Sequence, residues 1–310
     1  MLHFLLTAAL AVPVHQETVR APDLVEAYQA FRKQHAQFLR DMDAAATREA
    51  QRALVREAGG TLNALLVPHA ADPQIDAYLE TLALTPGVLL RPTFVEVVGK
   101  NTDEEVRARA LYWLARHLHE TGVEEELVVE LFEGISKDFD EVPFKNGTLG
   151  NAARNQLYIV TRLAPGKPAP ETRGVDADGV EFSLADYRGK VVMLRFWGDW
   201  CPACRAMYPY ERGLVKDYAG RRFALIGVNS DELGTLRKAQ ERARLNWRSF
   251  HDGPSTYGPI AEAYRVGQWP TIVLLDAEGV IRYRSRNGLH EAALDGLIAE
   301  LVAEAEAPRK

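Results

Sequence analysis

The segment VVMLRFWGDWCPACRAMYPYER, residues 191–212, decides the fold of this chain. Residues 191–197 form an apolar run, interrupted only by Arg195, that is typical of a strand buried on both faces. Residues 205–212 have the composition of a helix, so a strand passes into a helix through Cys201-Pro202-Ala203-Cys204. These two cysteines are the only ones in the 310-residue sequence.

The position of this Cys-x-x-Cys motif predicts a reactive pair of thiols. Cys201 lies at the start of the predicted helix, where unpaired backbone N–H groups and the helix dipole favour a thiolate. Cys204 lies one turn later on the same face, so it can attack a sulfur bonded to Cys201. The alternative is half of a zinc site, but a structural zinc usually needs about four ligands. The sequence has no second Cys-x-x-Cys and no histidine near this one, so redox chemistry is favoured over metal binding.

The sequence around this motif predicts an α/β unit. Apolar runs at 222–229 and 271–276 are typical of buried strands, and the stretch between them includes a polar amphipathic segment, 231–245, typical of a helix. Residues 176–179 predict a turn between two short strands, residues 277–279 predict a turn into a strand at 280–284, and 290–305 predict a closing helix. Strands that alternate with helices indicate a mixed sheet covered on both faces.

The first half of the chain has a different character. From about residue 22 to 162 the apolar residues recur at helical spacing, and Asn101-Thr102-Asp103-Glu104 is typical of a helix start. Residues 1–165 carry 16 Lys and Arg against 23 Asp and Glu, whereas residues 166–310 carry 21 against 20. The proline- and glycine-rich stretch 163–170 separates the two. We therefore predict a helical region at 17–164 and a separable α/β domain at 165–310, and we interpret the scattered histidines of the helical region as structural or surface residues.

Residues 1–16 resemble a signal peptide. Phe4 to Val12 is a short apolar run, and Ala9-Leu10-Ala11 has the small residues of a cleavage site. The stretch is too short to span a membrane and lacks the usual positive start. These features favour a location outside the cytoplasm, with a cytoplasmic chain as the alternative. The formal net charge of −6 argues against a nucleic-acid partner.

Read in order, these segments resemble the thioredoxin superfamily, and more closely its TlpA-like, redoxin branch of extracytoplasmic thiol–disulfide oxidoreductases. The resemblance covers residues 166–310. It rests on GKPAP at 166–170, LADYRGK at 184–190, FWGDWCPAC at 196–204, GVNSD at 227–231, WPTI at 269–272 and DAEG at 276–279. It implies an α/β thioredoxin-like fold, here preceded by an all-α region.

The resemblance also assigns residue roles. It implies that Cys201 attacks, that Cys204 resolves, and that their disulfide is the redox group, with no other cofactor and no metal. It implies a cis peptide bond before Pro270, and it places Trp200, Pro202, Trp269 and Pro270 in the substrate groove. Simple packing is the alternative role for Trp269. The implied partners are protein thiols and disulfides together with an upstream redox partner, without nucleic acid and without a stable membrane span.

Arg195 and Met207 depart from the family pattern. Arg195 stands six residues before Cys201, where an acid that accepts a proton is common. Met207 stands where many members carry a glutamate. Arg195 would favour a thiolate if it pointed toward the cysteines; the alternative is an ion pair with Asp199 or Glu211 at the edge of the sheet. His251 is placed in a loop before Pro270, either as an acid or base at the rim of the site or as a solvated side chain.

Two other functions remain open at this stage. A thiol peroxidase of the peroxiredoxin kind would carry Pro-x-x-x-Thr/Ser-x-x-Cys, but the matching positions are Leu194 and Gly198. A binding or assembly protein would use its helical region to recruit a partner, with the redox site secondary.

Overall fold

A computed structural model gives the architecture and describes residues 23–45, 47–85, 87–122, 125–285 and 291–307. The predicted signal peptide, residues 1–16, lies outside the described residues. The chain divides into two compact units between Leu157 and Tyr158. They are called here the helical unit and the α/β unit. The domain limits of the sequence analysis, 17–164 and 165–310, stay predictions.

Helices dominate the described part of the helical unit. They are α1 (Leu24–Ala44), α2 (Arg48–Leu66), α3 (Asp76–Ala83), α4 (Arg91–Lys100), α5 (Glu104–Thr121), α6 (Glu125–Asp138) and the first part of α7 (Leu149–Arg162). The predicted start of α5 is confirmed, because the Asp103 side chain accepts hydrogen bonds from the N–H groups of Glu105 and Val106. This helix ends at Gly122, whose φ of 69° is a left-handed conformation that glycine adopts without strain.

A short hairpin in this unit was not foreseen. Strands β1 (Pro143–Phe144) and β2 (Gly147–Thr148) pair antiparallel between α6 and α7. The buried polar side chains also have structural partners. His117 accepts the N–H of Leu90 at its Nε2, and its Nδ1 lies 3.2 Å from the carbonyl oxygen of Ala83. The structural interpretation of this histidine therefore agrees with its surroundings.

The α/β unit contains a mixed sheet, as predicted, and this sheet has five strands. Its strands are β5 (Val191–Trp197), β6 (Phe223–Asn229), β7 (Ser249–His251), β8 (Thr271–Leu275) and β9 (Ile281–Arg284), in the order β7-β6-β5-β8-β9. The β5–β6 and β6–β7 pairs are parallel, and the β5–β8 and β8–β9 pairs are antiparallel. A separate hairpin joins β3 (Arg173–Val175) to β4 (Glu181–Ser183), also as predicted.

Helices surround this sheet. They are α8 (Pro202–Ala206), α9 (Tyr208–Asp217), α10 (Leu233–Ala243), α11 (Pro259–Ala263) and α12 (Glu291–Glu306). The single helix expected after the cysteines is divided at Met207, because Pro209 has no N–H group to continue the hydrogen bonds of α8. Strand β7 and helix α11 were missed, since each is too short to show a clear period.

Strand β5 is central, and every one of its residues is buried. Its alternate side chains enter two separate apolar clusters, one on each face of the sheet. Val191, Met193 and Trp197 lie in the cluster that contains both cysteines, and Val192, Leu194 and Phe196 lie in the other. Since β5, β6 and β7 are parallel, their carboxyl ends meet at one edge, and this edge carries the Cys-x-x-Cys motif.

Candidate active site

Cys201 and Cys204 form a disulfide at the amino end of α8, with their Cα atoms 5.2 Å apart. Cys201 is the N-cap of this helix, and Pro202 occupies the first helical position, where a missing N–H group costs nothing. The N–H of Cys204 donates to the Sγ of Cys201 over 3.1 Å. Cys204 is fully buried, and Cys201 keeps 4% of its surface exposed. A reactant from solvent therefore reaches the sulfur of Cys201 first.

Two tryptophans meet beside the motif. The rings of Trp200 and Trp269 contact edge to face with their centroids 5.7 Å apart. Trp200 is half exposed, and its Nε1 donates to the Oγ of Ser230 over 3.1 Å. Gly198 makes this position available, because a Cβ there would come within 2.2 Å of the Trp200 Nε1. The sequence of the loop therefore fixes an aromatic surface next to the redox motif.

The Trp269–Pro270 peptide bond is cis, as expected. Thr271, the next residue, is paired with Phe196 near the end of β5. This register places Trp269 and Pro270 at the edge of the sheet from which the Cys-x-x-Cys motif emerges.

The loops behind the motif are held by Asp231. Its Oδ2 accepts hydrogen bonds from the N–H of Asp199 and from the side-chain amide of Asn229, each over 2.7 Å. Asp231 is nearly buried, so these bonds form away from bulk water. They hold the end of β6 against the residues that lead into Cys201.

His251 is the last residue of β7, which corrects its expected placement in a loop. The strand is only three residues long and lies at the edge of the sheet, so its sequence shows no clear period. Its ring is half-buried, and its Nε2 lies 3.1 Å from the carbonyl oxygen of Asp231. The structure thus brings His251 to the loop behind the motif, while its chemical role stays a prediction.

Arg195 lies on the central strand, as predicted, but its ion pair forms in the interior and not at the edge of the sheet as the alternative expected. It is fully buried and forms an ion pair with Glu211, one of the two predicted acids. The other predicted acid, Asp199, pairs with Arg242 instead. Arg195 also reaches the motif, because its Nη2 donates to the carbonyl oxygen of Cys204 over 2.6 Å. The two alternatives are therefore not exclusive, since the same side chain makes both contacts.

Glu211 is the site residue whose importance the sequence analysis missed. It is fully buried in α9, and burial raises its pKa to about 7, although the charge of Arg195 acts in the opposite direction. Burial likewise lowers the pKa of Arg195. Helical spacing could have found this residue, because Tyr208, Glu211 and Leu214 recur every three residues and all three are buried.

Neither a metal site nor a membrane span is found in the described structure. The described residues contain no group of three or more His, Cys, Asp or Glu side chains arranged to hold a metal ion. None of the described helices has both the length and the apolar composition that crossing a bilayer requires.

The comparisons with known proteins concern the α/β unit. Residues 165–284 match the model of the AhpC/TSA family. The thiol-disulfide oxidoreductase ResA of Geobacillus kaustophilus is 35% identical over 123 residues, which are 39% of this chain and 69% of that protein. The thioredoxin-like protein YneN of Bacillus subtilis is 32% identical over 127 residues, or 39% of this chain and 70% of that protein.

A solved structure is also similar. The thioredoxin domain of a thiol-disulfide oxidoreductase from Bacteroides vulgatus shows 28% sequence identity, with a TM-score of 0.40. The match covers 45% of this chain and 98% of that domain.

Proposed function

This chain belongs to the ResA-like thiol–disulfide oxidoreductases of the thioredoxin superfamily, and on that basis we propose that Cys201 and Cys204 exchange disulfides with protein substrates outside the cytoplasm. The observation that carries the proposal is the unequal environment of the two sulfurs. Cys201 keeps 4% of its surface exposed where the strands end and its sulfur accepts a backbone N–H, whereas Cys204 is fully buried. This asymmetry suits one attacking and one resolving thiol.

The attack begins from the reduced pair. The thiolate of Cys201 attacks one sulfur of a substrate disulfide, forming a mixed disulfide and releasing the other substrate sulfur as a thiolate, which takes up a proton. The N–H of Cys204 and the start of α8 stabilise the thiolate before this attack, because both place partial positive charge at the sulfur.

Resolution completes the exchange. Cys204 loses its proton and attacks the sulfur of Cys201, so the Cys201–Cys204 disulfide forms and the second substrate thiol leaves. Two electrons pass from the chain to the substrate, and an upstream dithiol partner restores the reduced pair. The same steps in reverse would oxidise a substrate, and the reduction potential decides which direction prevails.

We assign the substrate surface to the side of the site on which Trp200 and Trp269 lie. Trp200 and Trp269 would contact apolar side chains beside the substrate cysteine, while Pro202 and Pro270 border the motif. An extended substrate segment would lie against the backbone before Pro270, where it can hydrogen bond as an added strand. His251 would lie at the rim of this surface.

The trapping experiment compares Cys204→Ser with Cys201→Ser. Cys204→Ser should accumulate mixed disulfides with cysteine-containing proteins of the periplasmic or secreted fraction, because nothing resolves the bond to Cys201. Cys201→Ser should trap none and serves as the matched control, since both variants lose one sulfur. Equal trapping by the two variants would reject the assignment of the attacking residue.

A peroxide assay tests the alternative activity. The reduced chain should reduce insulin disulfides and should consume hydrogen peroxide no faster than a free thiol of similar pKa. Rapid, saturable peroxide consumption that depends on Cys201 would favour a thiol peroxidase instead. Cell fractionation of the full-length chain tests the proposed location, which a purely cytoplasmic protein would contradict.

A further inference from the structure

A buried ion pair lies directly behind the disulfide. Arg195 on β5 contacts Glu211 on α9, and neither side chain has any exposed surface. Burying two charges costs several kcal/mol per ion after relaxation, and their attraction repays this cost only partly. Apolar side chains of similar volume would stabilise this core at least as well. The pair therefore calls for a role in addition to stability.

The pair is connected to the attacking sulfur through the backbone of Cys204. The Nη2 of Arg195 donates to the carbonyl oxygen of Cys204 over 2.6 Å, and the N–H of the same residue donates to the Sγ of Cys201 over 3.1 Å. Glu211, Arg195 and the two cysteines thus form one continuous series of polar contacts. A shift of the guanidinium group would move the turn on which both cysteines lie.

Aromatic rings keep the guanidinium group in place. The rings of Trp197 and Tyr208 lie with their centroids 5.4 and 5.3 Å from its central carbon. Gly227, opposite Arg195 on β6, leaves room for this arrangement, since a Cβ there would come within 2.6 Å of the Trp197 Nε1. Trp197 and Tyr208 therefore limit the directions in which Arg195 can move.

Three acidic or phenolic groups beside the motif have partners of their own. The hydroxyl of Tyr208 donates to the carboxylate of Asp199, and Asp199 is also paired with Arg242. Asp231 is held by backbone and amide donors in the loop at the end of β6. Glu211 is thus the acid that contacts Arg195 directly, and its charge decides how much of the positive charge reaches the sulfurs.

We propose that Arg195 and Glu211 are a positioning pair for the exchange reaction, in which Arg195 aims the N–H of Cys204 at the sulfur of Cys201 and Glu211 offsets the positive charge that favours the thiolate. The inference rests on the proposed function, because it concerns the reactivity of the same two cysteines. It assigns the two residues opposite electrostatic effects on one thiol.

The test compares Glu211→Gln with Arg195→Met at pH 8, above the raised pKa of Glu211 of about 7, so that this acid is ionised in the unchanged protein. Glu211→Gln leaves a buried cation without its counter-ion, so the pKa of Cys201 should fall and the reduced state should gain stability. Arg195→Met removes the cation and the bond to the Cys204 carbonyl, so the pKa of Cys201 should rise. A shift of one pKa unit is a tenfold change in the thiolate-to-thiol ratio, and we expect about three- to tenfold in each direction.

Two readouts are needed for each variant. The rate of iodoacetamide alkylation at pH 8 reports the thiolate-to-thiol ratio of Cys201, and equilibration with glutathione at the same pH gives the redox equilibrium constant. The conservative Arg195→Lys keeps the charge and should lie nearer the unchanged protein than Arg195→Met. If Arg195→Met fails to fold, Arg195→Lys takes its place in the comparison with Glu211→Gln. The double variant Arg195→Met/Glu211→Gln removes both charges and should lie between the two single variants.

The test is whether the two single variants shift the pKa of Cys201 in opposite directions. If the ion pair only supports the fold, both single variants loosen the same site and shift the thiol pKa in the same direction or not at all, which overturns the inference. The trapping experiment with Cys204→Ser is independent of this result. Trapping with no opposed shifts rejects the positioning pair alone, and opposed shifts without trapping reject the protein substrates alone.

Discussion

The helical unit and the α/β unit both bury neutral polar side chains, but among the described residues the α/β unit also buries charged ones, and one charged pair contacts the redox motif. In the helical unit, Asn63, Asn101 and His117 are neutral groups, and each hydrogen bonds to the backbone of loops or helix ends. In the α/β unit, Arg195 and Glu211 are a buried ion pair, and Arg195 binds the backbone of the redox motif.

The comparison distinguishes buried polar groups that satisfy the backbone and stabilise the fold from buried polar groups that contact the redox site. A neutral amide or imidazole that satisfies a buried backbone group removes a desolvation penalty of about 1–3 kcal/mol and needs no further explanation. A buried ion pair is costly, and its contacts here lead to a disulfide rather than to a loop. Three of the four predictions below test this contrast, and the prediction for Leu163 tests the boundary between the two units.

Breaking the ion pair should have the largest effect on stability. Arg195→Met leaves Glu211 buried without its partner and should lower the free energy of unfolding by about 3–5 kcal/mol, whereas Arg195→Met/Glu211→Leu should recover most of that loss. Four of the five tryptophans of the sequence lie in the α/β unit, so urea unfolding followed by tryptophan fluorescence reports on it. If Arg195→Met/Glu211→Leu is as unstable as Arg195→Met, the ion pair itself stabilises the fold. It would then resemble the neutral buried groups of the helical unit, and the contrast would fail.

Leu163 tests where the α/β unit begins. It is fully buried in the apolar cluster on the face of the sheet opposite the cysteines. Tyr158 and Ile159 pack against the same cluster. Leu163→Ala should therefore lower the free energy of unfolding of the α/β unit by about 2–4 kcal/mol, while the exposed Leu89→Ala in the helical unit should change stability by less than about 0.5 kcal/mol. A fragment that starts at Ala164 should be less stable than one that starts at Tyr158 by a similar amount. Equal stability of the two fragments would place the boundary at the predicted residue 165.

The sequence predicted the α/β fold well because its signals are local. Apolar runs at 191–197, 222–229 and 271–276 are long enough to be distinguished as buried strands, and each became a central strand of the sheet. Strand β7 could not be found in this way. It has three residues, and its pairing with β6 depends on contacts distant in sequence.

The candidate site could be predicted only in part for the same reason. The cysteines and Trp269–Pro270 were identified from short motifs. The pairing of Arg195 with Glu211 joins residues 16 positions apart on a strand and a helix, and the sequence offered Asp199 as an equal alternative. The register of α9 against β5 decides between them, and this register is a property of the packed core.

The pH dependence of stability distinguishes the two units by its sign. Burial raises the pKa of Glu211 from an ordinary value of 4.5 to about 7, so between these values the folded state binds more protons than the unfolded state. The free energy of unfolding of the α/β unit should therefore fall as the pH rises, by about 2 kcal/mol between about pH 5.5 and 7.5. In Glu211→Gln this slope should disappear, as measured by urea unfolding of the oxidised protein at both pH values. An unchanged slope would mean that another group is responsible.

His117 in the helical unit should show the smallest effect and the opposite sign. Burial lowers the pKa of His117, so as the pH falls below about 6.5 the unfolded chain takes up a proton that the folded state resists. The free energy of unfolding should then decrease on acidification, because protonated Nε2 can no longer accept the N–H of Leu90.

The variant His117→Phe tests this effect. It keeps most of the volume and the contact with Phe94, but it leaves the Leu90 N–H and the Ala83 carbonyl without the imidazole. We expect the free energy of unfolding to fall by about 1–2 kcal/mol. Far-ultraviolet circular dichroism follows this unit, since it is mainly helical. The variant should lose the acid sensitivity while its glutathione equilibrium constant stays that of the unchanged protein. A change in that constant would show that a neutral buried group in the helical unit also acts on the redox site, and the contrast between the two units would then fail.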